Sequence, residues 1–266
     1  MSRAEAFRAL HRGPGAFLMP NPWDAGSARV LARLGFPALA TSSGACAGVL
    51  GRRDGRVTRE EALAHAAAIA RAVDLPVSAD LEKGFGDDPR EVAETIRRAA
   101  EAGLAGGSIE DATGRREQPL YDFGHAVERV AAAAEAARGR FVLTARAENF
   151  LRGRPDLDDT LRRLQAYAQA GAEVLFAPAL PDLAAVRAVC AAVDKPVSFM
   201  AGIRGRSFPV AELEAAGVRR ISFATSLYRA AMSGLLEAAR EAKEQGRFGY
   251  VERVLTSAEL NAYLED

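Results

Sequence analysis

Asp80 and Glu82 stand two residues apart in the run Val77-Ser78-Ala79-Asp80-Leu81-Glu82. On an extended segment that spacing points both side chains to one side, and packing alone gives no reason to aim two anions together. Polar clusters also close the neighbouring apolar runs: Asn21-Pro22-Trp23-Asp24, Thr41-Ser42-Ser43-Gly44, Glu110-Asp111 and Arg146-Ala147-Glu148-Asn149, with Asp54 in the loop after the second run. Carboxylates gathered at one mouth repel each other unless a cation, protons or basic side chains compensate them. His11, His65 and His125 lie outside the ends of these runs, and Cys46 and Cys190 make no chelating pair, so zinc-type ligation is poorly supported. Oxygen donors of this kind suit Mg²⁺, with Mn²⁺ as the alternative, held by one or two carboxylates and completed by water or substrate.

Arg146 offers a planar fork that matches a substrate carboxylate. Ser42 and Ser43, with their amides and flanked by Thr41 and Gly44, offer donors for a second carboxylate or an oxyanion. Trp23 and Asn149, at the ends of the first and fifth runs, complete the candidate substrate-binding set. A cation, an arginine and backbone donors around one small acid can stabilise an enolate or carbanion. A structural reading competes with this one: Asp80 and Glu82 could pair with Lys83 and Arg146, Glu148 could serve only to support Arg146, and Asp111 could face the barrel wall. In the same reading His125 is a surface residue in the first helical turn after Asp122, and Cys46 is buried filler.

Residues so far apart in the chain meet only if a fold brings run ends to one face. Short apolar runs begin near Phe17, Ala38, Val77, Ser108, Val142, Val174, Val197 and Ile221, each followed by a helical pattern. Eight strand and helix units with right-handed crossovers close into a (β/α)8 TIM barrel, whose working residues project from the carboxyl ends of the strands. Thr58-Arg59-Glu60-Glu61 and Asp88-Pro89-Arg90-Glu91 are capping boxes, the second with proline at its first helical position. Gly35, Gly103, Gly171 and Gly217 each end a helical pattern before the next strand. Two stripes, Leu157, Leu161, Leu164 and Ala168, and Leu183, Val186, Val189, Cys190 and Val193, pack on the core, which makes Cys190 inert. The barrel spans residues 1–245. Residues 246–266 form a tail in the same domain with one short helix, capped by Thr256 and Glu259.

Composition narrows the class. The chain has 266 residues, 49% hydrophobic and 26% charged, the balance of a globular protein. Its 35 basic and 35 acidic residues cancel, so no net field recruits nucleic acid. No window has the continuous apolar length of a membrane span or a signal peptide. Two cysteines are too few for a disulfide framework, and a reducing, cytoplasmic location is expected.

From Phe17 to Ala239 the chain resembles the isocitrate lyase and phosphoenolpyruvate mutase superfamily. The resemblance is carried by Asn21-Pro22-Trp23-Asp24-Ala25, Gly35-Phe36, Thr41-Ser42-Ser43, Gly51 with Asp54, Asp80-Leu81-Glu82-Lys83-Gly84-Phe85-Gly86, Ile109-Glu110-Asp111, Ala145-Arg146 and Ala170-Gly171-Ala172-Glu173, in that order. It implies a Mg²⁺-dependent enzyme that makes or breaks a bond beside a pyruvate-like or succinate-like enolate. By position Asp80 resembles the direct metal ligand, Asp54, Glu82 and Glu110 its companions, and Ser42, Ser43 and Arg146 substrate binders. The superfamily also implies a homo-oligomer, a tetramer or a dimer, whose C-terminal helix is exchanged, so that the chain from Ser226 onward packs on a neighbour.

Departures from the family pattern bear on the reaction. Isocitrate and methylisocitrate lyases carry a Lys-Lys-Cys-Gly-His type motif in the gating loop after the fourth strand. This chain reads Thr113-Gly114-Arg115-Arg116-Glu117-Gln118-Pro119-Leu120-Tyr121, without a cysteine. Pro178 stands where many relatives have Glu or His, and Met200 about where lyases place an asparagine. The expected function is a carbon–carbon lyase of the 2-methylisocitrate type, retro-aldol cleavage giving a 2-oxo acid and a dicarboxylate, with Arg146, Glu110 and Tyr121 as catalytic residues. The alternatives are an oxaloacetate-type decarboxylase, then a phosphonopyruvate hydrolase or mutase, or a non-catalytic 2-oxo acid binding protein.

Overall fold

The computed structural model describes residues 1–265. Helix α1 (Arg3–Arg12) precedes β1 (Phe17–Met19), α2 (Ala25–Arg33), β2 (Leu39–Ala40), α3 (Ser43–Val49), α4 (Arg59–Arg71), β3 (Val77–Asp80), α5 (Pro89–Glu101), β4 (Gly106–Glu110) and α6 (Phe123–Ala137). The chain continues through β5 (Val142–Arg146), α7 (Leu157–Gln169), β6 (Val174–Phe176), α8 (Leu183–Ala192), β7 (Val197–Met200), α9 (Val210–Ala215), β8 (Val218–Ser222), α10 (Ser226–Gln245) and α11 (Ser257–Leu264). All eight strands are parallel, in the order β1-β8-β7-β6-β5-β4-β3-β2. The last gap is closed at its rim, where Ala40 N donates to Pro20 O at 3.1 Å and Asn21 Nδ2 to Thr41 O at 2.8 Å. The architecture is the (β/α)8 barrel.

The capping boxes at Thr58, Asp88 and Thr256 are formed, so α4, α5 and α11 begin where their side chains satisfy otherwise unpaired amides. Gly35, Gly103, Gly171 and Gly217 have positive φ, turning the chain out of each helix into the next strand. Two strands start earlier than the apolar runs predict. β4 begins at Gly106, since a Cβ there would stand 2.7 Å from Val142 O and one on Gly107 2.7 Å from Phe141 Cζ. β8 begins at Val218, and its alternation buries Val218, Arg220 and Ser222 while Arg219 stays exposed.

Helix α1 closes the amino end of the barrel. Phe7 packs edge-on against Phe17 and under Gly106, Arg8 donates to Glu173 and Phe141 O, and His11 lies buried against Arg220. At the other terminus α10 buries no residue and leaves Leu235 and Leu236 exposed. Gly246 ends it in the left-handed conformation. The tail then folds back so that α11 lies on the chain's own α2, with Arg29 Nη1 donating to Leu264 O at 2.8 Å and Arg33 Nη2 to Glu265 O at 2.7 Å. Among the described residues no helix is long and apolar enough to cross a membrane.

Candidate active site

The carboxyl ends of β2 and β3 are locked together by hydrogen bonds. Asp80 N donates to Thr41 Oγ1 at 3.0 Å, and Ser43 N returns a bond to Asp80 Oδ2 at 3.1 Å. Asp80 Oδ1 accepts from Glu82 N and from Arg146 Nη1, each at 3.3 Å. Glu82 follows in the left-handed region, φ 49°, a conformation that strains a residue with a Cβ. Phe85, Ala179 and Ala224, the other non-glycine residues with positive φ, also lie in loops beyond strand carboxyl ends. Gly44 keeps a gap open, since a Cβ there would stand 2.8 Å from Thr225 Cγ2 and 3.4 Å from Asp54 Oδ2.

A cavity of about 250 Å³ opens among these groups. Thr41, Ser42, Ser43, Gly44, Asp54, Asp80 and Arg146 line it, so the structure gathers most of the predicted site residues at one mouth. Glu82 borders a small adjoining hollow together with Asp80 and Ser42. Burial, and then the charges of Asp80 and Asp54, raise the Glu82 carboxyl to about 7.

Arg146 is already engaged. Its Nε donates to Glu148 Oε1 at 2.9 Å, its Nη2 stands 2.8 Å from the same oxygen and 3.4 Å from Glu110 Oε2, and its Nη1 holds Asp80. Burial opposes its charge, but Glu148, Glu110 and Asp80 outweigh that and raise its pKa above the ordinary arginine value. Glu110 also accepts from Arg152 Nη2 at 2.7 Å. Its own pKa is raised, by burial first and then by Glu148. Of the competing structural pairs, Asp80 and Glu148 do bind Arg146, whereas Glu82 forms no ion pair with Arg146 and Lys83 binds Asp87 at 2.5 Å instead.

Other predicted residues lie elsewhere. Asp111 is buried in the wall, accepting from Tyr167 Oη at 2.6 Å, Glu148 N at 2.8 Å and Arg163 Nη1 at 3.1 Å. Tyr121 is buried below the 113–120 loop. Its hydroxyl donates to Asp87, Arg129 stacks on its ring at 4.2 Å, and it does not line the cavity. Burial, and then the Asp87 bond, raise its pKa and make it a reluctant proton donor. Trp23 meets Tyr228 edge-on at 5.7 Å, also outside the cavity. Asn149 binds Asp159 at 2.9 Å and opens on a separate concavity beside residues 117–120. Arg220, Thr225 and Arg229, which do line the cavity, are absent from the predicted set. Period-two alternation through Val218-Arg219-Arg220-Ile221-Ser222 would have turned Arg220 inward.

Among the described residues, no three His, Cys, Asp or Glu side chains converge as a ready-made chelate. The donors are nevertheless carboxylate oxygens, and burial first, then the charges of Asp80 and Asp54, raise the Glu82 pKa, so positive charge at this mouth would be favourable. A hydrated hard cation, bound directly by one carboxylate and through water by others, fits this set, whereas a closed zinc cage does not.

Comparison with known proteins agrees with the fold. The phosphoenolpyruvate phosphomutase family profile matches residues 7–243. A crystal structure from Burkholderia cenocepacia J2315, described as a candidate lyase/mutase, is similar at 51% identity and a TM-score of 0.96, over 99% of this chain and 96% of that one. The 2-methylisocitrate lyase of Escherichia coli is 32% identical, over 86% of this chain and 80% of its own length. An oxaloacetate decarboxylase of Bradyrhizobium diazoefficiens is also 32% identical, over 74% of this chain and 70% of its own. With the profile spanning nearly all of the barrel, the chain belongs to the phosphoenolpyruvate mutase family, within the isocitrate lyase superfamily of lyases and mutases.

Proposed function

We propose that this cavity cleaves a carbon–carbon bond of the 2-methylisocitrate type, giving a 2-oxo acid and a dicarboxylate, with Mg²⁺, or Mn²⁺ in its place, as cofactor. The supporting observation is the interlocked mouth, where Asp80 and Asp54 face a cavity that also presents Ser42, Ser43 and Arg146. Asp80 would hold the ion directly, with Asp54, Glu82 and Glu110 acting directly or through water. The ion would supply positive charge against the enolate oxygen of the 2-oxo fragment. Ser42 makes no capping bond, so its hydroxyl is available for a substrate carboxylate beside that of Ser43. Arg146 keeps Asp80 and Glu110 in register and adds its charge to the same end of the pocket. The two free cysteines fit a cytoplasmic enzyme. The exposed apolar face of α10 fits a homo-oligomer.

One observation favours a second reading, decarboxylation of oxaloacetate. Residues 113–121 carry no cysteine and Tyr121 is committed to Asp87, so the loop offers little for a step that needs a strong proton donor. A panel of 2-methylisocitrate, isocitrate, oxaloacetate and phosphonopyruvate, assayed with Mg²⁺ beside Asp80→Ala, separates the readings. Pyruvate released from 2-methylisocitrate and abolished by Asp80→Ala is the expected result. Far faster loss of CO2 from oxaloacetate establishes the second reading instead. Metal-dependent binding without product from any of the four would overturn both in favour of a non-catalytic binding protein.

A further inference from the structure

The barrel interior beneath the mouth is unusual for its fold. In a (β/α)8 barrel the inward positions are ordinarily filled by bulky branched side chains. Here Ser78 on β3 and Ser108 on β4 line the cavity beside Arg220 of β8. The guanidinium crosses the barrel: Nε donates to Ser198 Oγ on β7 at 2.9 Å and Nη1 to Thr144 Oγ1 on β5 at 3.1 Å. Thr144 stands two residues before Arg146 on the same strand, so Arg220 occupies the layer below the acidic mouth.

Arg220 is 3% exposed and has no carboxylate partner among the described residues. Its Nη2 and the hydroxyls of Ser78 and Ser108 make no hydrogen bond within the described chain, and none is sealed from solvent. A buried cation costs much unless an anion compensates it. Burial, and then the charge of Arg146, lower its pKa to about 9, still above neutrality. The neighbouring His11 cannot supply the anion. It donates from Nδ1 to Phe7 O at 2.8 Å and turns Nε2 toward Arg220 Nη1 at 3.4 Å, the arrangement of a neutral ring.

We propose that Arg220, with Ser78 and Ser108, is the specificity-determining anion receptor of the cavity, and that the ligand is a dicarboxylate or larger polyacid with one carboxylate seated on the barrel floor. This rests on the proposed function only in taking this cavity as the place where substrate binds. Arg146 is thereby a positioning residue for Asp80 and Glu110, and the buried arginine with a spare donor lies one layer deeper, while Arg229, bound to Gly202 O, lines the exposed edge. A monoacid leaves the floor charge uncompensated and is discriminated against on that account.

The test is calorimetric binding of succinate against butyrate, equal in carbon number but differing by one carboxylate, with Mg²⁺ present. The unaltered protein is expected to prefer succinate by at least about tenfold. In Arg220→Gln that preference should vanish, while the ligand-free melting temperature stays the same or rises. An arginine serving only to hold the barrel together gives the opposite pattern, a lower melting temperature with the preference intact, and so does equal binding of both acids by the unaltered protein; either result overturns the proposal. Should Arg220→Gln fail to fold, a crystal of the unaltered protein soaked in succinate decides. A carboxylate oxygen at about 3 Å from Nη2 supports the receptor, and succinate bound elsewhere refutes it. Because the readout is binding, lyase turnover that survives in Arg220→Gln with succinate preference intact sinks this inference alone. An Arg220-dependent preference without turnover sinks only the lyase reading.

Discussion

Arg146 and Arg220 look into the same cavity from successive layers of one barrel, and they are compensated in opposite ways. Arg146 faces Glu148, Glu110 and Asp80, more negative charge than it can neutralise. Arg220 faces only hydroxyls and a neutral imidazole. The cavity is thus short of positive charge at its mouth and short of negative charge at its floor. A cation above and a carboxylate below would relieve both, so the two imbalances describe one ligand set.

The largest effect expected from breaking this contrast is on stability. Arg146→Met strips the counter-charge from three buried or half-buried carboxylates and should cost about 3–5 kcal/mol in denaturant unfolding, whereas Arg220→Gln should cost close to nothing. Similar losses for both variants would erase the distinction between the layers.

A second effect reads the floor through pH. The folded-state pKa of His11 is lowered to about 3, by burial and then by Arg220, so the unfolded chain takes up its proton first. Stability from this group is therefore complete above about pH 6.5 and is lost as pH falls toward 3. Between pH 6.5 and 5 the loss is about 2 kcal/mol, and His11→Gln, neutral throughout, should flatten the acid limb by that amount. An unchanged slope would mean that the ring charges freely beside Arg220.

Tyr121→Phe should cost about 1 kcal/mol through the lost bond to Asp87, which keeps Lys83, and should leave turnover unaltered. A fall of about a hundredfold or more in kcat would restore Tyr121 as the proton donor. The smallest effect belongs to Arg152, which binds the same Glu110 and Glu148 as Arg146 but is 40% exposed. Solvent screening limits Arg152→Ala to about 1 kcal/mol or less. A larger loss would mean that the mouth depends on its rim cation as much as on the buried one.

Much of the barrel was legible because its strands are short apolar runs punctuated by capping boxes and helix-ending glycines, signals that act within a few residues. The positions of Thr41 to Gly44, Asp54 and Asp80 followed from that frame, because run ends must meet at one rim. Partnerships within the rim were less legible. Arg146 as a free fork and Arg146 bound by three carboxylates have the same sequence, and only distances between strands distinguish them. Arg220 escaped because it precedes Ile221, where the last apolar run begins in the sequence, although β8 starts at Val218 and its alternation buries Arg220. Tyr121 was placed by its loop position alone, which does not reveal that Asp87, from the preceding loop, captures its hydroxyl.

Phe7 and His11 of α1 have a consequence of a different kind. By packing at the far end beneath Arg220 they back the cavity floor with buried side chains, which leaves the strand carboxyl ends as the side from which a ligand would come to it.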